Sequence, residues 1–229
     1  MWAGMKLGAL GGTFDPIHLG HLHVASRIQS LFGLTQIHFV VAATPPHKPR
    51  AGLLPFSHRY AMVALATLGS VSFVPSTVEL EPPPSPFSIH TLKKLASHNG
   101  RDLLDVYFIA GGDSLLDVAN WRDSLDLLTT YNFIFVVRPG VATIDANAVL
   151  PRKAAKRVRE LRGLGSRQLR QRIRREEGSS ENKIFIVDVD APDISSSQIR
   201  ALVSAGKRMR HLVPVAVHEY IQKLHLYIA

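Results

Sequence analysis

Residues 11–21 read Gly-Gly-Thr-Phe-Asp-Pro-Ile-His-Leu-Gly-His, directly after the short apolar run Lys6–Leu10. A run this short that ends in a glycine pair is expected to be a buried strand closing in a turn. The glycines let the main chain approach a ligand closely. Asp15 is placed to cap the helix that follows, and Pro16 suits its first turn. A helix over roughly 18–32 would then present free amides and the positive end of its dipole to a phosphate. His18 and His21 are three residues apart and are expected to share a face over that anion site. Imidazoles there can donate hydrogen bonds to phosphoryl oxygens as charge builds in a transition state. Metal ligation is the competing reading of the histidine pair. Helical zinc pairs need a spacing of four and a third ligand, and no carboxylate partner lies nearby in sequence, so the metal set is assigned as none.

The same strand-then-helix unit recurs along the chain. Gln36–Ala43, Val71–Pro75, Asp105–Ala110, Asn132–Val137 and Lys183–Val189 are short runs bounded by turn residues. Between them lie helical patterns at about 57–68, 88–98, 121–130 and 151–177, followed by 196–205 and 214–226. Such alternation argues for a parallel sheet covered on both faces, with ligands bound beyond the C-terminal strand ends. Gly11-Gly12 and Gly111-Gly112 both fall there. Two stretches differ in composition. Residues 81–86 (EPPPSP) form a proline-rich loop, and 152–175 holds eleven Arg and Lys residues from Arg152 to Arg175.

Composition narrows the classes. The 229 residues fit one large domain or two small ones, and 46% apolar content is enough to fill a core. Charged residues are 20% of the chain, too few for a mostly disordered one. The net charge of +9 and a pI of about 10.1 favour an anionic partner: nucleotide, nucleic acid or acidic surface. The absence of cysteine excludes disulfides, thiolate zinc sites and cysteine nucleophiles, and is compatible with a cytoplasmic protein. Residues 1–10 do not read as a signal peptide, Met5 could serve as an alternative start, and no apolar run reaches the ~18 residues of a membrane span.

The run GGTFDPIHLGH resembles the signature of bacterial nicotinate-nucleotide adenylyltransferases, in the superfamily of HxGH nucleotidyltransferases; the tetrad here is His18-Leu19-Gly20-His21. Further segments resemble that family in the expected order. Pro45-Pro46-His47-Lys48 matches its PPHK loop, where the lysine lies near phosphates. Pro86–Leu92 (PFSIHTL) stands where the family has Ser-Tyr-Thr-x-x-Thr-Leu; Thr91 and Leu92 match, while Pro86, Phe87 and Ser88 depart from it. Gly111–Trp121 (GGDSLLDVANW) resembles the nicotinate-binding segment. Arg138-Pro139-Gly140 matches an RPG motif, and Ile194–Arg200 (ISSSQIR) differs from ISSTxIR only at Ser197. Val213-Pro214…Tyr220-Ile221 matches a C-terminal helix. Residues 141–182 match least well. Taken singly, Lys48 is better read as a solvated loop lysine, while Ser88 and Asp113 are equally helix caps and Trp121 a core side chain.

The resemblance implies an α/β fold: a single Rossmann-like doubly wound domain, 1–229, with a mainly parallel sheet flanked by helices. A basic helical insertion would occupy about 141–182 and a C-terminal helical part about 195–226. It also implies adenylyl transfer from ATP to nicotinate mononucleotide in NAD biosynthesis. The implied catalytic residues are His18, His21, Lys48 and Arg200. ATP would be bound by Gly11, Gly12, Thr13, Phe14, His18, His21, Gly112, Asp113, Arg138, Ile194, Ser195, Ser196 and Arg200. The mononucleotide would be bound by Thr13, Lys48, Ser88, Asp113 and Trp121. Mg²⁺ is expected to arrive with ATP. The competing readings are another acceptor of the same superfamily, nicotinamide mononucleotide or pantetheine phosphate, and an RNA-binding protein acting through 152–175. RNA is disfavoured because no aromatic residue is interleaved there for base stacking. Homo-oligomerisation is left open.

Overall fold

The computed structural model describes residues 5–45, 52–98, 105–137, 144–177 and 179–228. Lys48 and Arg138 lie outside the described residues. Seven strands make one sheet: β1 (Leu7–Gly12), β2 (Gln36–Val41), β3 (Phe73–Ser76), β4 (Val106–Gly111), β5 (Asn132–Val137), β6 (Val158–Glu160) and β7 (Ile184–Asp188). Their spatial order is β3-β2-β1-β4-β5-β7-β6, and every pair is parallel. The chain winds outward from β1 to β3, then returns to start β4 on the other side of β1. The crevice above β1 and β4 is therefore the point where the winding reverses, the position at which open α/β sheets bind ligands.

Side-chain alternation along the strands divides the core in two. Leu10, Ile37, Phe39, Ile109, Ile134, Phe185 and Val187 share one face with helices α1 (Leu19–Phe32), α2 (Phe56–Thr67), α7 (Ser166–Glu176), α8 (Ser196–Ser204) and α9 (Val215–Lys223). Leu7, Ala9, Val106, Phe108, Phe133, Phe135, Ile184 and Ile186 face the other way. Helices α3 (Ser88–Ser97), α4 (Ser124–Thr130), α5 (Ala146–Val149) and α6 (Arg152–Ala155) cover them. The central strands β1, β4, β5 and β7 are thus covered on both sides, which is why they read as near-continuous apolar runs. Among the described residues no helix is long and apolar enough to cross a membrane.

Two expectations need correction. Residues 151–177 do not form one helical stretch: α6 ends at Ala155, β6 adds an edge strand to the sheet, and α7 starts at Ser166. Leu169 and Ile173 bury against the core while the arginines of α7 point outward, so the basic helical character expected of the segment belongs chiefly to α7. The second concerns Asp15. It does not cap α1, because the helix starts later, with His18 at the N-cap position. Asp15 is instead 3% exposed, and its carboxylate accepts a hydrogen bond from the Tyr227 hydroxyl at 2.8 Å.

Candidate active site

The strand carries through both glycines, since Gly11 and Gly12 pair with Val40 and Val41. Gly12 is needed for a packing reason. A Cβ there would lie 2.7–3.0 Å from three atoms of the Phe14 ring, which folds back over it. Phe14 takes a left-handed backbone conformation, φ 50°, unusual for a residue with a bulky side chain. Its buried ring meets Phe39 and stands edge-on beneath His21 at 5.0 Å. Contact between Phe14 and a nucleotide is therefore open to its main chain only.

Above Phe14 the two histidines act as a stacked pair. Their rings are 3.6 Å apart at the centroids and inclined by 25°. Gly20 makes room for this, since a Cβ on it would press on His18 Nδ1 at 3.0 Å and Cε1 at 3.2 Å. The His18 main-chain amide donates to His21 Nδ1 at 3.2 Å. A neutral imidazole that accepts at Nδ1 carries its proton at Nε2, so His21 presents Nε2–H as a donor.

The ISSSQIR segment arrives from the far end of the chain at the same place. Ser195 caps α8, its hydroxyl accepting from the Gln198 amide at 3.1 Å as expected. The Ser196 hydroxyl donates to the Pro16 carbonyl at 2.9 Å. Arg200 Nη1 donates to the Asp15 carbonyl at 2.8 Å, and Nη2 to the Ser197 hydroxyl at 3.4 Å. The N-termini of α1 and α8 thus meet on the Asp15-Pro16 turn. Two positive dipole ends, a half-exposed arginine and two imidazoles converge there, an arrangement that suits an anion of several negative charges. Ile194, just before the Ser195 cap of α8, is buried in the core.

The second group of expected residues lies on the other side of the crevice. Gly111 ends β4, Gly112 opens the short helical turn Gly112–Leu116, and Asp113 is exposed within that turn. Gly112 is packed tightly: a Cβ there would lie 2.9 Å from Val137. Trp121 is half-buried, edge-on to Phe108 at 6.0 Å, with its indole N–H donating to Asp117 at 3.0 Å. Ser88 does not cap α3; Phe87 holds that position and Ser88 is the first helical residue. Arg122 lies over the Phe87 ring at 5.5 Å, which joins the Pro86–Leu92 loop to the tryptophan segment.

Three residues of the site were not singled out from sequence. Arg59, on α2, is 1% exposed and donates to main-chain carbonyls just beyond the ends of β1 and β2. Glu79 accepts from the Ala43 amide at 2.8 Å, and Tyr227 holds Asp15. Burial pushes the Tyr227 hydroxyl well above the ordinary phenol range, reinforced by the Asp15 carboxylate, so it remains a donor. Burial also raises Glu79, against the opposing pull of the Ala43 amide, Arg59 and Lys94. A carboxyl raised in the folded state contributes stability that is present at acid pH and lost as pH climbs past the ordinary carboxylate value. Glu79→Gln keeps an acceptor for Ala43 without the charge. It should match or exceed the wild type in urea midpoint at pH 8, with the gap closing toward pH 4. A variant less stable than the wild type at pH 8 would refute this.

The fold and this crevice are those of a nucleotidyltransferase. A family model described as cytidylyltransferase-like matches residues 9–202. A protein of Geotalea uraniireducens named as a probable nicotinate-nucleotide adenylyltransferase is 39% identical over 223 residues, covering 97% of this chain and 98% of the relative. One of a Thermoanaerobacter strain with the same name is 35% identical over 97% of this chain and 94% of its own length. Among solved structures, the Plasmodium falciparum nicotinic acid mononucleotide adenylyltransferase complexed with NaAD shares the fold. Its TM-score is 0.66 at 19% identity, covering 97% of both chains. The chain belongs to the cytidylyltransferase-like family and, within it, to the nicotinate-nucleotide adenylyltransferases.

Proposed function

We propose that this enzyme transfers the adenylyl group of ATP to nicotinate mononucleotide, giving nicotinate adenine dinucleotide and pyrophosphate, a step of NAD biosynthesis. The observation that carries the reading is the meeting of the α1 and α8 N-termini with His18, His21 and Arg200 on one turn. An oxygen of the mononucleotide 5′-phosphate attacks the α-phosphorus of ATP in line. The new P–O bond forms as the α–β bridging P–O bond breaks, and its electron pair leaves on pyrophosphate. The attacking phosphate is already anionic, so no strong general base is required. The work falls to positioning and to stabilising charge on the phosphoryl oxygens.

His21 Nε2–H, the His18 ring behind it, the Arg200 guanidinium and the Ser195–Ser196 end of α8 face the triphosphate in this reading, with Gly11 to Phe14 supplying main-chain contacts. Lys48 and Arg138 are assigned to phosphates by the family motifs alone. Asp113 takes a ribose, while Trp121 and Ser88 border the mononucleotide. The donor-rich set fits a metal that arrives already bound to phosphate. Among the described residues no cluster of three His, Asp or Glu side chains is formed to hold one, and Asp15 is engaged by Tyr227. Mg²⁺ carried on the polyphosphate, held by phosphate oxygens and water, would offset charge there. The reading implies a single nucleotidyltransferase domain over 1–229 working in the cytoplasm.

Pyrophosphate release from Mg·ATP, with nicotinate or nicotinamide mononucleotide as acceptor, tests the proposal. The nicotinate form should be favoured by about tenfold or more in kcat/KM, because donors pairing with its carboxylate would be left unpaired by the NH2 of the amide. Equal or reversed preference would reassign the acceptor. No turnover with either would move the enzyme to another phosphate acceptor.

A further inference from the structure

Among the described residues Arg59 is the largest side chain that is fully buried, and an arginine is rarely found so. It lies on the first turn of α2, and its guanidinium spends its donors on main-chain carbonyls. Nε donates to Leu54 at 3.0 Å, Nη1 to Thr13 at 2.9 Å and Ala42 at 2.8 Å, and Nη2 to Ala43 at 3.5 Å. Thr13 follows β1, and Ala42 and Ala43 follow β2. One planar cation therefore ties together the two loops that leave the sheet beside the histidine pair.

The consequence for the site follows from peptide geometry. In a trans peptide the C=O and the next N–H point in opposite directions. Drawing the Thr13 carbonyl toward Arg59 turns the Phe14 amide away from it. Drawing the Ala42 carbonyl toward Arg59 turns the Ala43 amide the opposite way, where the buried Glu79 takes it at 2.8 Å. Holding the Ala43 carbonyl likewise turns the Thr44 amide away. The Thr13 bond also helps maintain the left-handed Phe14, whose ring supports His21. Left-handed backbone at a non-glycine residue is unfavourable and persists where neighbours over-determine it.

We propose that Arg59 is a positioning residue for nucleotide binding. By fixing the Thr13, Ala42 and Ala43 carbonyls inward, it presents the Phe14 and Thr44 amides, and the His21 ring above Phe14, to the triphosphate. The inference rests on the adenylyl-transfer reading of the crevice and needs no particular acceptor. Asp15 and Glu79 offset its charge at a distance, while burial lowers its pKa from the usual arginine value. Lysine cannot replace it, because an ammonium is a point donor and cannot span two loops in one plane.

The test compares wild type with Arg59→Lys and Arg59→Met. Calorimetric Kd for Mg·ATP, the separate KM and kcat values, and the thermal midpoint are measured on each. Positioning predicts that both Kd and KM for ATP rise by about tenfold or more, the scale of one lost charge-assisted hydrogen bond. That rise should appear at temperatures well below the midpoint of the variant, with Arg59→Lys recovering only part of the loss. A purely structural role lowers the midpoint and the active fraction but leaves Kd and KM of the folded molecules within about twofold of wild type; that result overturns the proposal. If Arg59→Met does not fold, Arg59→Lys decides. A wild type that binds Mg·ATP but does not turn over nicotinate mononucleotide removes the acceptor assignment, and the Kd comparison still decides Arg59.

Discussion

His18→Ala and His21→Ala are each expected to lower kcat by about 10²–10³, the cost of removing one preorganised donor from a developing charge. Unfolding midpoints should stay close to wild type. The two substitutions remove different things. In His18→Ala the main-chain amide that fixes His21 Nδ1 remains, so the donor tautomer survives, but the ring stacked at 3.6 Å is gone and His21 can tilt. In His21→Ala the Nε2–H donor itself is lost, together with the contact that keeps the Phe14 ring edge-on beneath it. Because the rings work as one unit, the double variant should lose little more than the worse single variant, the non-additivity seen where residues share a task. Rapid-quench measurement of the chemical step checks this. Effects that multiply in the double variant would mean two independent roles, and a kcat within tenfold of wild type in both singles would take the histidines out of the chemistry.

The alternation of apolar runs and helical patterns located six of the seven strands, because β1, β4, β5 and β7 are buried on both faces and must be apolar throughout. The missing one, Val158–Glu160, sits at the sheet edge and pairs only with β7. Its Val-Arg-Glu sequence carries no apolar run, and charged residues are what an edge strand tolerates. The glycines of GGTF were legible as a close approach, but what approaches Gly12 is the Phe14 ring of the protein itself. Asp15 was misplaced because three more residues pass before α1 begins, and in that interval its carboxylate turns inward to a tyrosine more than two hundred residues away. No local pattern encodes that pairing. Arg59 did leave a trace: it lies three and four residues before Met62 and Val63, and all three are buried on the inner face of α2. An arginine in phase with an apolar stripe is the signal that a helical plot of 56–67 would have offered.

Arg200→Met should reduce kcat/KM by about 10²-fold with only a small loss of stability, and Arg200→Lys should fall between it and wild type. The guanidinium ties α8 to the β1–α1 turn through the Asp15 carbonyl, yet its side chain is still 34% exposed toward the crevice. Its contact with the Asp15 carboxylate, at 3.9 Å, is long and partly solvated, and such pairs contribute about 0–1 kcal/mol. Asp15 moreover keeps its bond from Tyr227 when Arg200 is gone. The structural loss is therefore slight. In the adenylyl-transfer reading proposed above, the functional loss is that of a charge-assisted donor to the phosphates, about 1.5–3 kcal/mol. Negative charge grows on the departing pyrophosphate as the α–β bond breaks, so an arginine beside that oxygen stabilises the transition state more than bound ATP. The deficit should then appear mainly in kcat, with KM for ATP changing less. Lysine restores the charge but not the fork that can hold the Asp15 carbonyl and a phosphoryl oxygen together. Steady-state kinetics beside urea titrations separate the possibilities. A deficit confined to KM would place Arg200 on ground-state ATP alone, and a kcat/KM within threefold of wild type in a folded Arg200→Met would remove it from the site.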